Sequence, residues 1–282
     1  MLEHYKANPW KQRSSIILLA ASIGLFSPSL LATTVKPPNM DVLVEQCEKK
    51  KDLDACFELA RVLEIGATGP KNSVRASQIL ERACQNGHRE SCNVLAYKLA
   101  QGIGTEKNLQ RAVSLYESQC EQNDIEACVQ FALHLEAGDG IIKDQIRANA
   151  LFQKACEKEN WLGCVNLGMA FSSGAGAEAP DNGKARSLYT KACDGGDATG
   201  CMMLGMCHDH GQGGTLDHKE ANRLYILACE GGEIGACGMY GFNLFHGRGI
   251  EKDREKGKKL LHIGCKEGDA WSCKKLRKIR FQ

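Results

Sequence analysis

The sequence predicts an all-α solenoid in which repeated helix pairs are linked internally by disulfides. Cysteines occur in closely spaced pairs, and successive pairs are 36 or 37 residues apart. Apolar residues recur at helical spacing in step with that period. A fixed period of about 20 to 50 residues is the signature of stacked repeats, each of which buries its apolar face against its neighbours.

The first 32 residues differ from the rest, and we predict that they form a cleaved secretory signal peptide. A basic stretch containing Lys6, Lys11 and Arg13 precedes an apolar run, and Ala32 offers a small residue for cleavage. A retained membrane anchor is the alternative, but the run is shorter than the roughly 20 apolar residues that span a bilayer. We therefore expect no stable membrane span after removal of residues 1–32, then a linker at 33–40 and a solenoid of six to seven repeats at 41–282.

The charge balance argues against nucleic acid as a partner. Without residues 1–32 the chain keeps 33 basic and 33 acidic residues, so no overall basic field attracts nucleic acid or anionic lipid. One local exception lies near the C-terminus, and we interpret it as the solvated cap of the last helix, with a binding patch as the alternative. Its members are Lys274, Lys275, Arg277, Lys278 and Arg280.

Fifteen cysteines behind an export signal indicate an oxidising compartment, either the periplasm or the exterior. Within a pair the spacing is C-x7-C, except in the first pair, which is one residue wider. Residues eight apart in one helix lie about 12 Å apart, beyond the roughly 4.4–6.8 Å that a disulfide allows between Cα atoms. The chain must therefore turn between the two cysteines. The predicted pairs are Cys47–Cys56, Cys84–Cys92, Cys120–Cys128, Cys156–Cys164, Cys193–Cys201, Cys229–Cys237 and Cys265–Cys273, with Cys207 as a free thiol.

Helix boundaries follow the same period. Asparagine or aspartate stands 12 residues before the first cysteine of six pairs, and its side-chain oxygen can accept the free amides of a first turn. At the position three residues after that cysteine, most repeats have a residue that tolerates the left-handed conformation of a helix end. A second helix follows and runs to a G-x-G turn. The predicted caps are Asn72, Asn108, Asp144, Asp181, Asp217 and Asp253, and the predicted ends are Gly87, Asn123, Glu159, Gly196, Gly232 and Gly268.

The pattern A-x-x-L-Y-x-x-A-C-x-x-G-x-x-x-A-C-x-x-L-G, clearest at 185–205 and 221–241, resembles the Sel1-like repeat. This repeat is a relative of the tetratricopeptide repeat, and the form with paired cysteines is typified by the Helicobacter cysteine-rich proteins. The resemblance covers about residues 41–282. It implies a right-handed α/α superhelix with a concave inner surface, exported from a Gram-negative bacterium, and an adaptor or scaffold role. For the cysteine-rich branch it also implies penicillin binding or weak β-lactamase activity, and interaction with host cells. The partner protein would accordingly belong to the host or to the bacterial envelope.

The sequence gives little support for an enzyme. A serine β-lactamase needs S-x-x-K, Ser-Asp-Asn and Lys-Thr-Gly motifs, and only one S-x-x-K is present, at 272–275. Cys273 lies inside that match and is already assigned to a disulfide, so we interpret the match as chance. We predict no catalytic residue, while a β-lactamase-like hydrolase stays open as the alternative.

Cys207 lies near His208 and His210, with His246 at the equivalent place in the next repeat. Zinc needs three or four converging ligands, and these residues lack a familiar ligand spacing. We therefore predict a structural thiol, with a metal site or an intermolecular disulfide as alternatives, and no metal or cofactor.

The predicted function is the binding of a protein or peptide in the concave groove by a monomeric scaffold. A β-lactam or peptidoglycan-related ligand is the alternative. We expect polar residues late in the second helices to contact the partner. The candidates are Lys98, His134, His210 and Asn243.

Overall fold

A computed structural model describes residues 39–67, 69–177 and 179–279. The predicted signal peptide and nearly all of the predicted linker lie outside these residues. Every regular element in the described part is helical, which confirms the all-α prediction. The helices are α1 (Met40–Val44, followed by a π-helical turn, Glu45–Lys49), α2 (Leu53–Ile65), α3 (Ser73–Gln85), α4 (Arg89–Gln101), α5 (Leu109–Glu121), α6 (Ile125–Ala137), α7 (Gln145–Glu157), α8 (Trp161–Ser173), α9 (Asn182–Asp194), α10 (Ala198–His210), α11 (His218–Glu230), α12 (Ile234–His246), α13 (Arg254–Lys266) and α14 (Ala270–Ile279).

Each repeat consists of a first helix that carries the first cysteine of a pair and a second helix that carries the other. The predicted caps are confirmed: the Asn72 side chain accepts from the amide of Arg75 at 2.9 Å, and the same contact recurs in the later repeats. The predicted helix ends are also confirmed, because all six residues have positive φ, including Asn123 and Glu159. The first helix therefore stops where the sequence requires the turn.

The disulfide pairs predicted from spacing are present in the described residues. The Cα atoms of each pair lie 4.4–4.8 Å apart across the turn between first and second helix. The wider first pair, Cys47–Cys56, keeps this geometry because the extra residue is taken up by the π-helical turn. There the amide of Lys50 donates to the carbonyl of Glu45, five residues back.

In four G-x-G turns the second glycine brings the loop against the start of the first helix in its own repeat; these glycines are Gly104, Gly140, Gly213 and Gly249. Gly104 has φ +66°, and a Cβ atom there would lie 2.1 Å from the carbonyl oxygen of Ser73. A side chain therefore meets both an unfavourable backbone conformation and a main-chain overlap. The G-x-G motifs are structural turns, as predicted.

We expect Gly104→Ala to lower the free energy of unfolding by about 2–3 kcal/mol, since overlap adds to the left-handed backbone cost. Gly87→Ala is the matched control, because Gly87 has φ +87° but open space around its missing side chain. It should lose only about 1 kcal/mol. Urea unfolding of both variants measures the difference. Equal decreases in the free energy of unfolding would show that the loop shifts to relieve the overlap with Ser73.

The chain divides into two compact units, whose described parts are 39–148 and 149–279. The core of the first unit includes Leu59, Leu80 and Leu95, from successive helices. The core of the second is built around the buried rings of Tyr189 and Tyr225. No helix of the described residues has the length and apolar character needed to cross a bilayer.

Candidate functional site

The second helices of the second unit each present one stripe of side chains to solvent. The stripe consists of positions two, five and nine after the second cysteine, which share one face because residues three and four apart are neighbours on a helix. In α12 these are Met239, Phe242 and His246, of which the first two are half-buried and the third is exposed. We call this set the exposed stripe. Position two of α8 is an exception, because Asn166 is buried there. The members are Met169, Ser173, Met203, Met206, His210, Met239, Phe242, His246, Lys275 and Lys278.

Methionine is concentrated at this stripe. Four of the seven methionines of the chain belong to it, and a fifth, Met202, stands directly before Met203. All five are half-buried and pack by one side on the core of the second unit. A thioether chain is unbranched and polarisable, so it adapts to partners of different shape. This part of the stripe is suited to holding apolar side chains of a partner.

Beyond the methionines, α12 and α14 bring aromatic rings together. The Phe242 ring lies 4.5 Å from that of His246 and 5.6 Å from that of Trp271. The ammonium group of Lys275 sits 4.3 Å from the centre of the Phe242 ring and 4.9 Å from that of Trp271. These cation–π contacts hold a positive charge at the edge of an apolar platform.

The electrostatic environment of this end is positive. Burial lowers the pKa of His246, and the cations Lys252 and Arg248 lower it further. Burial also lowers the pKa of Lys275, assisted by Lys278 and Arg248. Burial and the neighbouring cations thus both favour the neutral form of the His246 imidazole.

The structure corrects the predicted binding residues. Lys98, His134 and Asn243 are only 1–5 % exposed, so they are not available to a partner. All three stand six residues after the second cysteine, one position past the exposed stripe. Each step along a helix turns about 100°, so a shift of one residue moves a side chain from solvent into the contact between helices. His210, at position nine, is exposed and stays a candidate.

These buried polar residues join neighbouring repeats. The ammonium group of Lys98 donates to the carboxylate of Glu64 at 2.5 Å. The amide of Asn243 donates to the carboxylate of Asp209 at 3.3 Å, 34 residues earlier in the chain. His134 stacks on Tyr116 with ring centres 5.8 Å apart, and its Nδ1 donates to the carbonyl of Asp139. Their role is structural.

Cys207 occupies the same register as Lys98 and Asn243 and is 3 % exposed. Burial raises the pKa of its thiol, an effect that the nearby Arg186 partly offsets. His208 turns toward Arg186, whose Nη2 lies 3.0 Å from the imidazole Nε2. The Nδ1 of His210 donates to the carbonyl of Met206 instead. Within the described residues no three histidine, cysteine or acidic side chains converge as a metal site would require.

The S-x-x-K match lacks a reachable nucleophile. Ser272 is completely buried, and its neighbour Cys273 is held in a disulfide with Cys265. A hydroxyl in that position cannot approach a carbonyl substrate. Lys275 faces the aromatic platform described above.

The fold and the exposed stripe define a helical repeat protein of the solenoid class, with a surface rather than a cleft as its candidate site. Six Sel1 repeats match the chain, at residues 53–88, 89–124, 125–160, 161–197, 198–233 and 235–269. The chain therefore belongs to the Sel1 repeat family, as the sequence pattern predicted. No curated protein sequence matches it.

Solved structures share the fold. A Sel1 repeat protein from Oxalobacter formigenes superposes with a TM-score of 0.73 at 23% identity, covering 80% of this chain and 90% of that one. A protective antigen of uropathogenic Escherichia coli that displays an SLR fold gives 0.70 at 22% identity over 86% of this chain. The match spans about half of the Escherichia coli chain, 51%. Helicobacter pylori cysteine rich protein B is 25% identical over 46% of this chain and 93% of its own, with a TM-score of 0.37.

Proposed function

We propose that this chain is an exported, disulfide-linked scaffold that binds another protein through the exposed stripe. Sel1 repeat proteins bind proteins, and stacked repeats offer an extended surface for this purpose. The observation that carries the proposal is the row of half-exposed methionines, in register on consecutive second helices of the second unit. Such side chains leave apolar surface in contact with water, and a partner that covers it gains free energy from its burial.

Disulfides support the exported location. Seven pairs are formed in the described residues, and such bonds persist in oxidising compartments. The predicted signal peptide would deliver the chain to the periplasm or beyond. We do not extend the proposal to β-lactam hydrolysis, because the hydroxyl of the sole S-x-x-K motif in the sequence is buried.

Site-specific photocrosslinking tests the scaffold function. A benzophenone amino acid replaces Met206 in the stripe or, as matched control, Leu227 on α11, an apolar residue that is 45% exposed on a first helix. Oxidised protein with each probe is irradiated in envelope extract and in host-cell lysate. We expect a protein partner to be crosslinked at residue 206 and not at residue 227.

A variant that lacks two methionines of the stripe serves as a further control. The crosslink should disappear when Met203 and Met239 are both replaced by serine, because the partner loses apolar contacts on either side of the probe. Capture of the same proteins from positions 206 and 227, or of none from either extract, contradicts a protein-binding stripe.

A further inference from the structure

We propose that the end of the exposed stripe on α12 and α14 binds an acidic peptide segment of the protein partner. Carboxylates of that segment would meet the cations around Lys275, and its apolar residues would lie along Phe242 and the methionines. This inference rests on the proposed protein-binding function and specifies the chemistry of the partner.

The first argument is the charge of this end. Eleven lysines and arginines lie in the loop after α12 and on α13 and α14, and six of them are close enough to act on His246 or Lys275. One of the six, Arg248, has a carboxylate within 4 Å, that of Asp209 at 3.7 Å. For the other five, no ion pair of that length forms with the described residues. The six are Arg248, Lys252, Arg254, Lys274, Lys275 and Lys278. Two of the five acids in the same stretch are used as helix caps: Asp253 accepts from the amide of Lys256 at 2.9 Å, and Asp269 accepts from the amide of Ser272 at 2.9 Å. The five acids are Glu251, Asp253, Glu255, Glu267 and Asp269.

Four of the six cations surround the imidazole of His246. The charges that lower the pKa of His246 come from Lys252, Arg248, Lys275 and Arg254, which places all four around one imidazole. Bringing like charges together costs free energy, and an anionic ligand would relieve that cost. The surface is therefore complementary to negative charge.

The second argument is the apolar platform beside the cations. Phe242 and Trp271 are half-buried, and the Lys275 ammonium covers part of both rings. Phe245 is buried behind them, with the Arg254 guanidinium 5.7 Å from its ring centre, so it supports the platform without adding to its surface. A partner that supplies only charge would leave this aromatic surface unused. A peptide with both carboxylate and apolar side chains uses both.

The same comparison disfavours a nucleic acid or an anionic membrane. Those partners need basic groups along the whole contact, whereas the stripe continues from the cations to Met239, Met206 and Met203, which are uncharged. Basic and acidic residues also balance over residues 33–282. The cations therefore form one end of a mixed surface rather than a basic field.

The stripe has the dimensions of a short peptide. Asn243 contacts Asp209 between α12 and α10, and Phe242 contacts Trp271 between α12 and α14, so the three helices are neighbours. Packed helices lie about 8–10 Å apart, and an extended chain advances about 3.3 Å per residue. A segment of roughly six residues would cross all three helices.

Fluorescence anisotropy tests the inference on the oxidised full chain. The probe is a fluorescein-labelled peptide in which two leucines and a phenylalanine are followed by four glutamates, and a second probe carries lysines in place of the glutamates. We expect the acidic probe to bind and the lysine probe not to bind. Affinity should fall with added salt, because exposed charges are screened.

The decisive variant is Lys275→Glu combined with Lys278→Glu. Its matched control is Lys258→Glu combined with Lys259→Glu, which makes the same charge change at exposed positions of α13. We expect the Kd for the acidic probe to rise by about tenfold or more in the first variant and to stay within about twofold in the control. The milder pair Lys275→Gln and Lys278→Gln should give an intermediate loss, and thermal unfolding confirms that each variant is folded.

Several results would overturn the inference. The first is that the acidic probe does not bind, and the second is that both glutamate variants lose the same affinity for it. The third is that phosphatidylglycerol vesicles or single-stranded DNA bind more tightly than the peptide, in a manner that depends on Lys275 and Lys278. If a protein crosslinked at residue 206 still binds the Lys275→Glu, Lys278→Glu variant unchanged, the scaffold function stands and the acidic partner alone is rejected.

Discussion

Reduction of the disulfides should lower the thermal unfolding midpoint of this protein by at least about 20 °C. Each bond closes a loop of about nine residues, which on the chain-entropy model stabilises the folded state by about 2.5 kcal/mol. The seven bonds lie in separate helix pairs, so reduction destabilises every helix pair. Circular dichroism melts with and without reducing agent measure the effect, and unchanged midpoints would contradict it.

A single pair provides the sharper version. Cys120→Ala combined with Cys128→Ala should lower the midpoint by about 5–10 °C under oxidising conditions. Cys207→Ala is the matched control, because that thiol is equally buried but unbonded, and it should lose about 1 kcal/mol. In reducing agent the double variant and the parent should become nearly equal. A loss that persists in reducing agent would indicate poorer packing rather than a lost crosslink.

The second large effect is expected at the buried ion pair of the first unit. The Lys98 side chain is 1% exposed and that of Glu64 is 10% exposed, so the ammonium depends on this carboxylate. Glu64→Gln should lower the free energy of unfolding by about 3 kcal/mol, because it leaves a buried charge without its counter-ion. Adding Lys98→Met should restore most of that loss. Urea unfolding of the two variants measures both changes.

The matched control is Glu48→Gln, which removes an exposed ion pair with Arg75 at 3.3 Å. It should change the free energy of unfolding by less than about 0.5 kcal/mol. If Glu64→Gln costs no more than Glu48→Gln, water reaches Lys98 and the burial argument is wrong.

The same pair gives a pH dependence. Burial opposes ionisation of Glu64, but hydrogen bonds from Lys98 and Lys71 outweigh it and hold the pKa below its ordinary value of 4.5. The unfolded chain therefore takes up the proton first as pH falls, so this part of the stability is present above pH 4.5 and is lost below it. The variant with Glu64→Gln and Lys98→Met should lack that loss.

The sequence predicted the fold because each repeat encodes the same local events. Caps, turn residues and cysteine spacing are all local, so Asn72, Gly87 and the pair Cys84–Cys92 could be assigned from a few neighbouring residues. The caps of the second helices were missed, although Asp124 and Asp197 stand directly after the predicted turn residues and accept from the amides of Ala127 and Gly200. Their signal was present in the sequence and could have been used.

The candidate site was predicted less well, for a geometric reason. A stripe on a helix is one residue wide, and the sequence does not show how each helix is rotated about its axis. The choice of Lys98, His134 and Asn243 favoured polar residues, but their polarity serves buried contacts between helices. The exposed positions hold Met206 and Phe242, which composition alone assigns to a core. Only the packing of the helices shows that these apolar residues reach the surface and that the polar ones are buried.

The buried position six residues after each second cysteine also fixes the order of the repeats. Disulfides, caps and turns are common to the repeats, so by those features the modules are interchangeable. Lys98, however, matches the acid at Glu64, and Asn243 matches Asp209 and Asn222. The residue 34 positions before His134 is Ala100, so a repeat with the Lys98 side chain placed there would set a lysine against a neighbour with no carboxylate. Neighbouring repeats are thus matched through these buried side chains, and duplication or exchange of a repeat requires a compensating change in the repeat beside it.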